Sequence, residues 1–420
     1  MPKKHKVLMV VENLSVPADP RVWREAQALR QFGFEVCVIS PQGETRDQEP
    51  YACIDDIHIY RYPLTTTITK SSDYLKEYAT AMLRTLEISF KIWRRHGFDV
   101  IHAANPPDTF FAMGLLYKLL GKKFIFDQHD LAPEVFHVRF QDRMKFLYKA
   151  LLFCERCSYQ IANVVITTNE SQKRNALERG KCRPGKVFVV RNGPDVTRFQ
   201  TVAPEPELKM GHRYLLAYIG VMGVQDGVEY VLHALDELVH KRARQDVGVV
   251  LMGNGDQLPM LQKLTHELEL DDYVHFTGWI GKADLLRYLS VTDVGLCPDP
   301  SNELNDHSTM LKTMEYMAMA RPIVAFDLPE TRYSAQNAAL YATPNQVVDF
   351  ADKVETLLAD EGLRQEMGAV GRRRVEDTLG WDRTKEKLWL AYKTLFPHHN
   401  RPAPAITTPE GTQTETTVTV

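Results

Sequence analysis

Residues 305–326 read NDHSTMLKTMEYMAMARPIVAF and predict a loop, a helix and a buried strand in direct succession. Ser308 and Thr309 are residue types that cap helix N-termini, and residues 310–320 contain nothing that opposes a helix. The Arg-Pro pair that follows ends the helix, because proline cannot continue one. The apolar run IVAF at residues 323–326 is then typical of a strand buried in a parallel sheet.

The start of this helix is a candidate anion site. Free N–H groups and the positive end of the helix dipole favour a phosphate there, beside the loop of His307, Ser308 and Thr309. Lys312 lies in the first turn, and Glu315 falls on the same helix face. This pairing suits a nucleoside diphosphate, with the carboxylate accepting from ribose hydroxyls. An ordinary surface helix is the alternative, and the spacing alone favours it.

Length and composition indicate a globular protein of two domains with a tail. The chain has 420 residues, too many for one core, with 44% hydrophobic and 25% charged residues. Its net charge of -3 gives no reason to expect a nucleic acid partner. Because Lys118 interrupts the most apolar stretch, residues 110–120, we expect no membrane span and a cytoplasmic protein.

The cysteines give no sign of a metal site. Six are scattered along the chain, and only Cys154 and Cys157 form a C-x-x-C pair, inside a predicted helix. A zinc site would need a second pair or a histidine at ligand spacing, and neither is present.

Alternating strands and helices divide the chain into two similar halves, which predicts an α/β fold of two Rossmann-like, doubly wound domains. We expect these domains to face each other across a cleft that binds a small charged ligand. A C-terminal helix is expected to pack back on the N-terminal domain. The predicted segments are the N-terminal domain (1–200), a linker (201–212), the C-terminal domain (213–380), the C-terminal helix (381–397) and a disordered tail (398–420).

Polar side chains at strand ends mark a candidate site in the first half. Asn105 and Asp108 follow one predicted strand, and His129 and Asp130 follow the next. Parallel sheets place their ligands at the carboxyl ends of strands. A single histidine there is more often structural, so His129 needs support from other features. The chain opens without G-x-G-x-x-G, so a dinucleotide site is not supported.

Residues 141–160 predict an amphipathic helix whose basic side chains include Lys145 and Lys149, with Arg139 and Arg143 at its start. One interpretation is peripheral contact with the anionic inner face of a membrane. A core-packed helix with a solvated basic edge explains the pattern at least as well.

The motifs occur in an informative order. They are DPRVWREAQALRQFGFEVCVISP, DQHD and VVRNGPDVTRF in the first half, then IGVMGVQDGVEYVLHAL, VLMGNGD, VHFTGWI, TDVGLCPDP and MLKTMEYMAMARPIVAFD. Together they resemble the retaining GT-B glycosyltransferases (family 4, group 1) that build bacterial capsules, O-antigens and exopolysaccharides. The resemblance extends to about residue 396. It implies transfer from a nucleotide-sugar donor, a UDP- or GDP-sugar, to a glycan or lipid-linked acceptor in cell-surface polysaccharide or glycolipid synthesis.

The resemblance also implies roles for individual residues. It places His129 beside the transferring sugar and Glu315 on the nucleotide ribose. The further donor-binding residues that it implies are Gly220 and Gly223 in the turn under the diphosphate, Asn254 and Asp256 near the nucleobase, and His307, Ser308 and Thr309 at the donor sugar and phosphate.

Two basic positions of the family pattern are missing. Relatives commonly carry Arg after the first glycine of the turn and Lys before its last glycine, where this chain has Val221 and Asp226. His307 also stands where many relatives have an acid. Two charge-assisted hydrogen bonds together contribute on the order of 3 to 6 kcal/mol, so another cation is expected to replace them. Asp226 is expected to cap the helix from residue 227.

Lys312 is the first candidate for the missing charge, together with the amides at the start of its helix. We expect Lys312→Ala to remove most turnover while the fold survives. Arg21 and Arg332 are further candidates for that charge, and the candidates for phosphate or acceptor contacts are Arg21, Arg332, Asn105 and Asp108.

The implied reaction retains the configuration at the anomeric carbon. Lys312 and preorganised N–H groups would stabilise the leaving diphosphate, while His129 positions the sugar, which makes these two side chains the catalytic candidates. The chain contains no Asp-x-Asp, so we expect catalysis without a metal or cofactor. Two alternatives remain: a sugar-nucleotide epimerase of similar build, and a catalytically weakened protein that binds a nucleotide sugar without turnover.

Overall fold

Buried parallel strands form the centre of both halves of the chain. The computed structural model describes residues 4–63, 71–140 and 145–402. The strands in these residues are β1 (Lys6–Val10), β2 (Glu35–Pro41), β3 (Tyr51–Ile54), β4 (Ile57–Tyr62), β5 (Val100–Ala104), β6 (Lys123–Gln128), β7 (Val164–Thr167), β8 (Val187–Val189), β9 (Tyr214–Ile219), β10 (Val247–Met252), β11 (Val274–Gly278), β12 (Val294–Cys297), β13 (Ile323–Phe326) and β14 (Ala339–Ala342). The α-helices are α1 (Pro20–Gln31), α2 (Ser71–Arg95), α3 (Phe111–Leu119), α4 (Ala132–Phe140), α5 (Lys145–Ile161), α6 (Glu170–Glu178), α7 (Val228–Asp236), α8 (Leu258–Glu267), α9 (Lys282–Val291), α10 (Leu311–Ala318), α11 (Pro329–Ala335), α12 (Val347–Ala359), α13 (Glu361–Arg374) and α14 (Trp381–Leu395).

The first compact unit contains the chain up to Arg191 and takes up the chain again from Lys385. Its eight-stranded sheet has the order β3-β4-β2-β1-β5-β6-β7-β8, and all pairs are parallel except β3 with β4. Helix α14 packs on this unit, where the Tyr392 hydroxyl lies 2.9 Å from His102 Nδ1. The boundary falls nine residues before the end of the predicted N-terminal domain, because residues 192–200 belong to the second unit.

The second unit contains Asn192–Thr384 and has its own parallel sheet. Its six strands have the order β11-β10-β9-β12-β13-β14. The central strands β9, β10 and β12 are almost wholly buried, with sequences such as VGVVLM that are apolar throughout. This composition is what a parallel strand covered by helices on both faces requires.

Two details differ from the prediction. Helix α10 begins at Leu311, after Met310, so Ser308 and Thr309 do not cap it. The Ser308 hydroxyl instead donates to the Leu304 carbonyl at 2.8 Å. His399, which lies in the predicted disordered tail, packs on the first unit: its ring stacks on Phe34 with a centroid distance of 3.9 Å. Residues 403–420 of that predicted tail lie outside the described residues.

Among the described residues, no helix is both long enough and apolar enough to cross a bilayer.

Candidate active site

Asn105 joins the ends of β5 and β6 in the first unit. Its Oδ1 accepts from the amides of His129 at 2.6 Å and Asp130 at 3.1 Å. Its Nδ2 donates to Asp108 Oδ1 and to the Asp130 carbonyl, both at 2.8 Å. The structure therefore brings together the four strand-end residues that the sequence marked, because β5 and β6 are parallel neighbours.

His129 contacts a buried carboxylate that the sequence analysis missed. Its Nε2 lies 2.7 Å from Oδ2 of Asp127, which is fully buried at the end of β6. Burial by itself raises the pKa of Asp127, but the charges of Arg21 and His129 outweigh it and hold that pKa well below its usual range. Asp127 is therefore ionised. The sequence held one signal for this contact: in DQHD, Asp127 lies two residues before His129 and still within strand β6.

Arg21 supplies the main positive charge beside Asp127. Its guanidinium is 4% exposed and donates to Asp127 Oδ1 at 2.9 Å and to the Val190 carbonyl at 2.9 Å. It also lies 3.1 Å from Glu25 Oε1. Arg21 is thus paired with carboxylates inside the first unit, and its contact with a phosphate stays a prediction.

Glu25, His102 and Asp127 form a buried group of three side chains with ligand atoms within 4.8 Å of one another. This spacing could suit a metal ion, but the Arg21 guanidinium already lies against both carboxylates. Burial also raises the pKa of Glu25 well above its usual range, with Asp127 adding to the rise against the opposing charge of Arg21. The group is therefore better suited to holding a proton than a second cation.

Asp108 is a second buried acid in this unit. Burial, with a smaller contribution from the charge of Glu155, raises the pKa of Asp108 to about 7. Its Oδ2 has no hydrogen-bond partner among the described residues. A carboxyl with this pKa can exchange a proton near neutral pH, and the Asn105 side chain links it to the backbone of His129.

In the second unit, the loops after β9 and β10 interlock. Gly220 has a φ of +140°, and a Cβ at Gly253 would lie 1.8 Å from the Gly220 carbonyl oxygen. The Met222 amide donates to the Asn254 carbonyl at 2.9 Å. Glycine at these two positions therefore allows the two backbones to approach each other. The side chains of Asn254 and Asp256 are exposed on the second loop.

Lys312 lies beneath this glycine-rich turn. A Cβ at Gly220 would be 3.4 Å from Lys312 Cε, and the ammonium is 4.9 Å from the centre of the Tyr218 ring. Only 7% of Lys312 is exposed, and its Nζ lies 2.6 Å from Asp299 Oδ1. Burial lowers the pKa of Lys312, but Asp299 and the neighbouring acidic groups outweigh it and raise that pKa well above its usual range. Lys312 is therefore charged but already paired, which the sequence did not indicate.

Asp226 was predicted to cap α7, but it does not. Its Oδ2 accepts from the Gly223 amide at 3.0 Å, within the same turn. Helix α7 begins after Gly227, with no side-chain hydrogen bond at its cap. Burial raises the pKa of Asp226 to about 6, with Asp299 adding to the rise and Lys312 opposing it.

The remaining predicted residues are on α10, in the loop before it, on α11 and in the glycine-rich turn. Glu315 is half-buried on α10, and Thr309 lies in the loop just before that helix. His307 Nδ1 is 3.0 Å from the Glu303 carbonyl. Arg332 is bound to Asp327 by two contacts of 2.5 and 2.6 Å, so its charge is already paired. Val221 is exposed, which leaves the turn without a basic side chain at that position.

Comparison with known proteins agrees with this architecture. Residues 213–360 match the family model described as glycosyl transferases group 1, and residues 21–198 match the model for glycosyltransferase family 4. The α-D-kanosaminyltransferase of Streptomyces kanamyceticus is 30% identical over 157 residues, which cover 37% of this chain and 39% of that protein. A glycosyltransferase of Methanocaldococcus jannaschii is 22% identical over 88% of this chain and 92% of its own length.

Solved structures share the fold at low sequence identity. Sucrose-phosphate synthase from Thermosynechococcus elongatus has a TM-score of 0.75 at 17% identity, and the match covers 94% of this chain and all of that chain. Anabaena HepE, solved in complex with UDP-glucose, has a TM-score of 0.69 at 14% identity, with 93% of this chain and 99% of that chain covered. The two family models together account for most of both parallel α/β units, and the chain therefore belongs to the family 4, group 1 glycosyltransferases of the GT-B fold.

Proposed function

We propose that this glycosyltransferase moves a sugar from a nucleoside diphosphate donor to a hydroxyl acceptor, with retention at the anomeric carbon. The observation that carries the proposal is the position of Lys312, whose buried ammonium lies beneath Gly220 in the second unit. A glycine-rich turn above a buried cation suits a diphosphate, which carries negative charge and many acceptor oxygens. HepE, which shares the fold, has been solved with UDP-glucose.

The leaving diphosphate gains charge as the sugar–oxygen bond breaks. We assign the stabilisation of this charge to Lys312 and to the amides at the turn and at the N-terminus of α10. Glu315, half-buried on α10, is assigned to the ribose hydroxyls. Binding would draw the ammonium of Lys312 toward the phosphate and away from Asp299, to which it is bound in the free protein.

His129 is assigned to the transferring sugar. Because Asp127 is ionised, the proton between them resides on His129 Nε2, and a neutral ring then has Nδ1 as its hydrogen-bond acceptor. Nδ1 can accept a hydrogen bond from a sugar hydroxyl. This contact would orient the sugar ring while positive charge develops on the sugar. This role is one of positioning, and it uses no metal or cofactor.

The acceptor is proposed to be a glycan or a lipid-linked hydroxyl at the inner face of a membrane. The basis is an exposed apolar and basic face on the neighbouring helices α3 and α5. Leu119 is 78% and Phe146 is 87% exposed, and Lys118, Lys145 and Lys149 lie on the same two helices. In α3 and α5, which the structure describes throughout, the only acidic residue is Glu155, and it is buried. Such a face suits an anionic lipid surface.

A panel of UDP-, GDP- and dTDP-sugars tests the catalytic proposal. Transfer, or slow hydrolysis of the donor, is the expected result. Isomerisation of the sugar would instead indicate an epimerase, and a rise in melting temperature without turnover would indicate a protein that only binds the donor. Absence of both turnover and a thermal shift with every donor would refute nucleotide-sugar binding.

Vesicle sedimentation tests the membrane proposal separately. The protein is expected to bind vesicles that contain anionic lipid more strongly than neutral ones, and Leu119→Ser with Phe146→Ser should weaken that binding. Val348→Ser removes an exposed apolar side chain of α12 in the second unit and serves as the matched control. Equal binding by all three proteins would contradict the role of this face.

A further inference from the structure

The carboxylate of Asp226 is hydrogen-bonded to a backbone amide of the glycine-rich turn. Its Oδ2 accepts from the Gly223 N–H at 3.0 Å, and the Asp226 amide in turn donates to the Gly223 carbonyl at 3.1 Å. An N–H group that an anion would need is therefore occupied by the protein's own carboxylate.

A second carboxylate neutralises the cation below. Asp299 is 2% exposed, and its Oδ1 accepts a hydrogen bond from the ammonium of Lys312. Its Oδ2 is buried and has no hydrogen-bond partner among the described residues. Two carboxylates, from Asp226 and Asp299, thus act on one ammonium, and a diphosphate that binds here meets net repulsion unless one carboxylate is neutralised.

We propose that Asp226 stands in for the donor diphosphate in the free protein and sets donor affinity, because the donor binds only when this carboxylate takes up a proton. The inference rests on the proposed function, since it concerns the same donor site. It also explains how a turn that carries an acid at position 226 can accept a diphosphate: once protonated, Asp226 no longer opposes the charge of Lys312.

The electrostatic surroundings favour this proton uptake. Burial, Asp299 and Asp256 raise the pKa of Asp226 to about 6, while Lys312 and the Gly223 amide oppose the rise. A bound diphosphate adds further negative charge and would raise that pKa again. Lys312 and Tyr218 keep their protons near neutral pH, because the pKa of each is raised.

Calorimetric titration with UDP-glucose tests the inference, using the full-length protein from about pH 5.5 to about pH 8.5. If one proton is taken up on binding, affinity should fall by about tenfold per pH unit above about pH 6. Repeating the titration at pH 7.5 in buffers of different ionisation enthalpy should show uptake of about one proton for each donor bound. UDP-glucose is a suitable probe because its diphosphate has no monoester group that titrates in this range.

Asp226→Asn is the decisive variant. The amide oxygen can still accept from the Gly223 N–H, so the turn keeps its hydrogen bond while the charge is lost. The variant should bind UDP-glucose with little dependence on pH, and at pH 8 about 10- to 100-fold more tightly than the wild type. Uridine, which lacks phosphate, should bind both proteins equally at every pH.

Two results would overturn the inference alone: affinity of the wild type that does not change with pH, or an Asp226→Asn variant that binds no more tightly at pH 8. The number of protons that the wild type takes up tests the inference even if the variant folds poorly. If neither protein binds UDP-glucose or any other nucleotide sugar of the panel at any pH, the proposed function fails, and this inference fails with it.

Discussion

Lys312 Nζ and Asp299 Oδ1 are 2.6 Å apart, and both side chains are buried in the second unit. Neither charge is exposed to much solvent, so each depends on the other for its stability. The pair joins the first turn of α10 to the loop that follows β12, directly below the glycine-rich turn. Its role in folding and its proposed role in donor binding must therefore be separated by experiment.

Lys312→Met should be strongly destabilising, by about 3 to 5 kcal/mol, because Asp299 is left buried and unpaired. This differs from the expectation drawn from the sequence, in which the fold survives the loss of Lys312. Adding Asp299→Asn should restore most of the stability but not donor binding. Urea unfolding and calorimetric titration with UDP-glucose check the two effects. Recovery of binding in the double variant would show that Lys312 is not the cation that holds the diphosphate.

Gly253→Ala should disrupt the interlocked loops. A Cβ there would overlap the Gly220 carbonyl, and the φ of +145° is unfavourable for alanine, so we expect a loss of about 3 kcal/mol or more. Gly278→Ala is the matched control, with a φ of +66° but no atom within 4 Å of the added Cβ. It should cost only about 1 kcal/mol. Equal losses in urea unfolding would mean that the contact with Gly220 contributes nothing.

Strands buried in the parallel sheets could be predicted well from sequence. The apolar runs of β7, β9, β10, β12 and β13 indicate buried strands directly, because a strand covered on both faces must be apolar along its whole length. The edge strand β3 (YACI) was missed because it is short and partly exposed. Helix α13 was missed because its sequence, EGLRQEMGAVGRRR, contains glycines that lower helix propensity, and its packing against α10 decides the structure.

For the candidate site, the sequence could predict which residues lie at strand ends, but no more than that. Asn105 and His129 could be placed together because parallel neighbours end at the same edge of a sheet. The partners of the charged groups could not, because they depend on side-chain contacts between elements distant in sequence. Arg21 was expected to be available to phosphate but is bound to Asp127, 106 positions away. Lys312 is likewise bound to Asp299, on the loop after another strand.

Asp108 should make stability depend on pH. Its folded-state pKa of about 7 lies above the unfolded value of about 3.9, so the folded protein keeps a proton that the unfolded chain releases. Stability contributed by this group is therefore complete below about pH 4 and falls as the pH rises toward about 7. Asp108→Asn, which stays neutral, should gain about 2 to 4 kcal/mol relative to the wild type across that range.

Urea unfolding at a series of pH values measures this difference. Glu267→Gln, a substitution at an exposed helix position of the second unit, is the control and should leave the pH profile unchanged. A constant difference between Asp108→Asn and the wild type at all pH values would show that folding leaves the pKa of this carboxyl unchanged, so that it is ionised in the folded protein at neutral pH.

His129 and Asp127 should act as one unit in catalysis. His129→Ala is expected to lower sugar transfer by about 100-fold with a small effect on unfolding, because that ring is partly exposed. Asp127→Asn should lower transfer similarly by releasing the ring. It should also destabilise the fold by about 3 to 5 kcal/mol, since Arg21 loses its charged partner.

The double variant decides whether Asp127 acts through His129. If it does, Asp127→Asn should cause little further loss of transfer in the His129→Ala background, because the ring that it orients is already absent. Rates are compared at saturating donor, on protein shown to be folded by urea titration. If the losses of transfer from the two single substitutions multiply in the double variant, Asp127 supports turnover by another route, through Arg21 or through the structure of the end of β6.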